Sequence, residues 1–129
     1  MQEKIQKLKK LKLLFVEDEE DLITIIDDTL TKLQSNFLTA RNGQEALAVL
    51  EKNPDIDAVI TDINMPLMNG IELIEHMNSK NFSMPIIVMS AHTEAEYLEK
   101  AKQLGVKKYL LKPFDFIKFI DLIVSMEIK

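Results

Sequence analysis

The sequence has no cysteine, which excludes a disulfide framework, a thiolate metal site and a cysteine nucleophile together and suits a reducing compartment. It has only three glycines, Gly43, Gly70 and Gly105, and none follows the first strand-like run, Lys12 to Val16. The glycine-rich loop that cradles a nucleotide or flavin phosphate therefore has no place there. No apolar run approaches the roughly 20 residues of a membrane-spanning helix, and Pro85 to Met89 is typical of the short runs present. Basic residues are the minority, 16 against 21 acidic, for a formal charge of −5. That sign opposes binding to a phosphate backbone, so no direct nucleic-acid partner is expected. The opening stretch is basic but lacks the apolar core of an export signal. These absences leave a soluble, cytoplasmic protein with neither membrane nor nucleic acid as a partner.

What is present is enough for one compact domain: 129 residues, 47% hydrophobic and 29% charged. Charge is unevenly divided, since residues 1–12 carry five lysines and one acid, net +4, against −9 for the remainder. Residues 1–10 are accordingly read as a basic extension and 11–129 as the domain. Ile5, Leu8 and Leu11 recur every third residue, which permits a short helix lying on the domain, but a solvated lead-in is the preferred reading.

From Leu11 onward, short apolar runs alternate with helical periodicities in five pairs, the pattern of a parallel sheet covered by helices in an α/β fold. The strand-like runs are Lys12 to Val16, Phe37 to Ala40, Ala58 to Thr61, Ile86 to Ser90 and Lys108 to Leu111. Most are apolar throughout, as expected of strands covered on both faces. Leu22, Ile26, Leu30 and Leu33 form the first helical stripe. Asn42 and Asn69, each followed by glycine, start the second and third helices. Thr93 with Glu96 suggests a capping box for the fourth, and Phe114 to Met126 is the apolar fifth.

Chemistry is sought where strands end, because loops converge and helix amino termini point there. After the first strand stand five acids, Glu17 to Asp21. Glu19, Glu20 and Asp21 are explained by a helix start that favours anions. Glu17 and Asp18 lie at the strand end instead, and Asp62 ends the third strand. Carboxylates gathered in a partly buried site raise one another's pKa unless a cation offsets them, and Mg²⁺ is the hard cation that also accepts phosphate oxygens. Ser90, ending the fourth strand, offers a hydroxyl, and Lys112, after the fifth, a fixed positive charge.

These residues, within Leu13-Leu14-Phe15-Val16-Glu17-Asp18, Thr61-Asp62-Ile63-Asn64-Met65-Pro66 with Asn69-Gly70, and Gly105 to Pro113, resemble those of response-regulator receiver domains of two-component signalling, of the single-domain chemotaxis-regulator type. The resemblance spans roughly residues 11 to 127 and implies a flavodoxin-like (βα)5 three-layer sandwich with strand order 2-1-3-4-5. It implies that Asp62 accepts a phosphoryl group from the phosphohistidine of a sensor histidine kinase. Glu17, Asp18, Asp62 and the main-chain carbonyl of Asn64 would hold Mg²⁺. Glu17 stands where many members have aspartate, and its longer side chain can coordinate through water. Ser90 and Lys112 would engage phosphoryl oxygens, and the Lys112-Pro113 peptide would be cis.

The resemblance further implies a switch in which Ser90 moves towards the phosphoryl group and Tyr109 turns inward, reshaping the face formed by the fourth helix, fifth strand and fifth helix of the alternation. Tyr109 is otherwise read as an edge residue with its hydroxyl in water. Ala91 leaves the site open, while Asn64 and His92 occupy positions that tune hydrolysis. On this reading the chain is no enzyme but a phosphoacceptor that assists its own phosphorylation and dephosphorylation. It signals to a downstream target or relays phosphate to a histidine phosphotransfer protein. Two other readings remain: a receiver-like interaction module that is never phosphorylated, and a Mg²⁺-dependent aspartyl-phosphate hydrolase. The hydrolase needs an acid/base aspartate two residues after the nucleophile, where this chain has Asn64.

Overall fold

In the computed structural model, residues 2–90, 95–112 and 114–125 are described. The elements are α1(Gln2–Lys9), β1(Lys12–Val16), α2(Glu20–Lys32), β2(Asn36–Ala40), α3(Gly43–Lys52), β3(Ala58–Asp62), α4(Gly70–Ser79), β4(Ile86–Ser90), α5(Ala95–Gln103), β5(Lys108–Leu111) and α6(Phe116–Val124). The five strands are all parallel, in the order β2-β1-β3-β4-β5. The sheet is therefore the flavodoxin-like one of the α/β reading. The first helix of the alternation is α2 and the fifth is α6, because residues 2–9 add a helix in front.

Side chains alternate across each strand, so every central strand feeds two cores. Leu13, Phe15, Ala58, Ile60, Ile87 and Met89 pack on one face with α1, α2 and α6. Leu14, Val16, Val59 and Val88 project to the other face, against α3, α4 and α5. This double coverage explains the unbroken apolar runs of β1, β3 and β4. Phe119 anchors the first face, stacking at 5.6 Å on Phe15 and 5.7 Å on Phe114.

Helix boundaries follow local chemistry. The Asn42 side chain accepts from the Glu45 amide, and Asn69 forms a full capping box with Glu72. The last helix begins at Phe116, not Phe114, because the Asp115 carboxylate accepts from the Lys118 amide and fixes the cap there. The Thr93 capping box and the extension of this helix to Met126 lie outside the described residues. The solvated lead-in gives way to the alternative: Gln2–Lys9 is helical, Leu8 is fully buried and Leu11 nearly so, both in the cluster of Phe119 and Ile123. Burying each such leucine contributes about 1.5–3 kcal/mol, which offsets part of the cost of ordering the helix, about 1–2 kcal/mol per residue of backbone.

Candidate functional site

Parallel pairing brings the strand ends together: Val16 lies beside Thr61, Asp62 beside Met89, and Ser90 beside Leu111. The pairing continues one residue further on each side, where the Glu17 amide donates to the Ala40 carbonyl and the Lys112 amide to the Ser90 carbonyl, at 3.0 and 2.8 Å. Glu17 and Lys112 are thus held by backbone before their side chains act.

Glu17 is 1% exposed and Asp62 5%. The Lys112 ammonium donates to Glu17 Oε1 at 2.7 Å and lies 3.1 Å from Asp62 Oδ2. Glu17 Oε2 accepts from the amides of Asp18 and Glu19, and Asp62 Oδ1 from the Ile63 amide at 2.8 Å. One carboxylate oxygen from each of Glu17, Asp18 and Asp62 falls within 4.8 Å of the others. Asp18 is exposed and opens this cluster to solvent. Ser90 is fully buried at the next strand end, and its Oγ has no hydrogen-bond partner among the described residues. A buried hydroxyl without a partner is costly and is commonly kept for a ligand.

The electrostatics follow from this burial. Desolvation pushes the Glu17 carboxyl up to about 7, with the Lys112 hydrogen bond opposing and the Asp62 charge reinforcing. Asp62 is likewise raised, burial outweighing the Lys112 charge. For Lys112, burial alone would lower the pKa, but the Glu17 hydrogen bond and the charges of Asp62 and Glu17 raise it. Three acids face one ammonium, an imbalance that a hard divalent cation with oxygen ligands would correct, so the residues fit Mg²⁺.

The loop after Asp62 is pinned at both ends. Gly70 donates to the Ile63 carbonyl at 2.8 Å, and a Cβ at Gly70 would lie 2.2 Å from the Asp62 carbonyl oxygen. Gly43 donates to the Met68 carbonyl at 2.9 Å and has Met68 against its α-carbon. Leu67 between them takes φ 67°, in the left-handed region. Sequence reasoning read these glycines only as companions of helix caps; the repeated Asn-Gly pair was the available signal. It also missed Arg41, directly after β2, which pairs with Glu20 at the start of α2.

Asn64 is exposed on the pinned loop, two residues beyond Asp62. Tyr109 departs from expectation, since its hydroxyl donates to the Val106 carbonyl at 2.9 Å instead of resting in water. Burial, then the charge of Glu99, raises its pKa. Ala91, His92 and the Lys112-Pro113 peptide fall outside the described residues. An open groove of about 690 Å³ lies along β5 and α6, lined by Tyr109, Leu111, Lys112, Phe114, Lys118 and Leu122 among others, and it shares Lys112 with the carboxylate crevice. No described helix is long and apolar enough to cross a membrane.

Comparison with known proteins agrees with this geometry. The family described as "Response regulator receiver domain" matches residues 13–124. A "Chemotaxis protein CheY homolog" of Campylobacter jejuni is 40% identical over 107 residues, covering 81% of this chain and 82% of that one. Among solved structures, chemotaxis response regulator CheY4 of Vibrio cholerae superposes with a TM-score of 0.77 at 30% identity, covering 88% of this chain and 95% of the other. A CheX-CheY-BeF3-Mg²⁺ complex from Borrelia burgdorferi gives 0.83 at 25% identity, covering 95% and 96%.

Proposed function

The chain belongs to the response regulator receiver family of two-component signalling, and from that premise we propose that Asp62 accepts a phosphoryl group from a histidine kinase. The observation that carries this reading is the pairing of a buried Asp62 carboxylate with Lys112, with Ser90 at the neighbouring strand end carrying a buried hydroxyl that has no partner among the described residues.

One Asp62 oxygen attacks phosphorus, the phosphorus–nitrogen bond of the phosphohistidine breaks, and the freed imidazole nitrogen takes up a proton. The product is an acyl phosphate. Glu17, Asp18, Asp62 and the Asn64 main-chain carbonyl would hold Mg²⁺, which supplies positive charge to the phosphoryl oxygens when bound. The Borrelia relative, solved with BeF3 and Mg²⁺, supports that ligand chemistry. Lys112, already 3.1 Å from Asp62, offsets charge on one phosphoryl oxygen, and Ser90 gains the acceptor its hydroxyl lacks. The contribution of the protein is positioning and electrostatics.

Drawing Ser90 towards the phosphoryl group shifts the balance between two arrangements of β4, Tyr109 and the α5–β5–α6 face. Tyr109 must exchange its bond to the Val106 carbonyl in doing so. The changed face then engages a downstream protein, or the phosphoryl group passes to a histidine phosphotransfer protein. The chain is thus a phosphoacceptor that assists its own phosphorylation and dephosphorylation, not an enzyme acting on a separate substrate. The hydrolase reading lacks an acid at Asn64. The unphosphorylated-module reading leaves the convergence of Glu17, Asp62 and Lys112 without a purpose.

Incubation with acetyl phosphate, with and without Mg²⁺, followed by intact mass, tests the proposal. Wild type should gain one phosphoryl group only with the metal, and Asp62→Ala should gain none. A wild type that stays unmodified with acetyl phosphate and with a phosphorylated histidine kinase overturns it in favour of the inert module.

A further inference from the structure

The family match begins at Leu13, so α1 lies outside it. Two of its three lysines are nonetheless committed to the domain. Lys4 pairs with Asp121 of α6, and the Lys7 ammonium donates to the carbonyl of Val124, the last residue of α6, at 2.6 Å. Leu8 and Leu11 seat the helix among Phe119, Ile123 and Val124. Only two residues, Lys10 and Leu11, separate α1 from β1, and their amides bond back to the Lys7 and Leu8 carbonyls. The position of α1 is therefore tied to the sheet.

The partner helix needs such a neighbour. Within Phe116–Val124 the last turn contains no basic residue, and it carries Asp121. A helix carboxyl end has free carbonyls and a partial negative charge, so an aspartate there is unfavourable and a cation favourable. Lys4 and Lys7 supply both missing charges from another helix. Asp121, Leu122 and Ser125, which surround this contact, also wall the groove between β5 and α6.

We propose that α1 is an electrostatic clamp on the carboxyl end of α6, which holds that end helical and so sets the shape of the adjoining groove. The hydrophobic seat from Leu8 keeps α1 in place, while Lys4 and Lys7 determine how firmly α6 is held. The contacts of Lys4 and Lys7 involve none of Glu17, Asp18 and Asp62, although Lys112 lines the same groove, and they do not depend on phosphoryl chemistry.

Amide hydrogen exchange of the full chain, read by peptide mass spectrometry, tests it with Lys4→Gln/Lys7→Gln and with Lys7→Arg. Loss of two exposed or half-exposed cationic contacts should speed exchange in the 120–125 segment by about threefold to tenfold. Exchange in β1 and β3 should stay unchanged, and Lys7→Arg should retain wild-type protection. Wild type in about 1 M salt should move towards the double variant, because screening weakens the same contacts. Unchanged exchange in 120–125, or an equal increase in β1 and β3, would overturn the clamp. Leu8→Ala supplies the reference for such a general loss of stability.

Discussion

Replacing Asp62 with asparagine should make the metal-free protein more stable. The cluster oxygens lie within 4.8 Å of one another, so repulsion between two carboxylates is at least about 3.5 kcal/mol at an effective dielectric constant of roughly 20. Asp62 feels this from Glu17 and a screened fraction of it from exposed Asp18. Attraction to Lys112 at 3.1 Å is about 5 kcal/mol on the same scale. The charge terms nearly cancel, so desolvation of a carboxylate only 5% exposed is left without compensation. Asparagine keeps the acceptor for the Ile63 amide and removes the charge. A gain of about 1–3 kcal/mol is expected, equivalent to several degrees in Tm. Urea unfolding at pH 8 in EDTA measures it, and a repeat in Mg²⁺ should shrink the difference as wild type gains from metal binding. If Asp62→Asn is equal to or less stable than wild type in EDTA, the electrostatic account of the crevice is wrong.

Other consequences can be checked separately. Because Glu17 is raised to about 7 in the fold, the folded chain binds more protons than the unfolded one between the ordinary carboxylate range and neutrality. Metal-free stability should therefore fall as pH rises from about 4.5 to about 7, by at most about 3 kcal/mol, and level off above. Urea midpoints across that range should show a slope that Glu17→Gln reduces, the remainder coming from Asp62, whose buried carboxyl is also raised. Ser90→Ala should raise metal-free stability by about 1–3 kcal/mol, since it removes a buried hydroxyl that has no partner among the described residues, yet slow phosphoryl gain from acetyl phosphate. Gly70→Ala should cost about 2 kcal/mol or more, because its Cβ would meet the Asp62 carbonyl, and it should also slow the phosphoryl gain by shifting the Asp62 loop.

The fold was readable because β1, β3 and β4 are covered on both faces and so are apolar without interruption, and because Asn42 and Asn69 mark helix starts in plain view. Glu17, Asp18, Asp62, Ser90 and Lys112 could be picked out since each ends a recognisable run. Features that depend on packing were harder to see. Whether Gln2–Lys9 stays in solvent or docks is decided by a depression beside Phe119 and Ile123 that no local pattern reveals. The Tyr109 hydroxyl donates to the carbonyl of Val106, three residues earlier, a contact that no apolar or polar periodicity marks. Arg41 and Glu20 are far apart in sequence and meet because β2 and α2 both end or begin at the same rim.

The central claim is that the carboxylate of Asp62, and no other acid of the cluster, receives the phosphoryl group. Borohydride reduction of the acetyl phosphate-treated protein in Mg²⁺ converts an acyl phosphate to an alcohol, and peptide sequencing by mass spectrometry locates it. The account predicts homoserine at position 62 alone. Homoserine at position 18, the reduced glutamate alcohol at 17, or no reduced residue in protein shown to carry phosphate would contradict it.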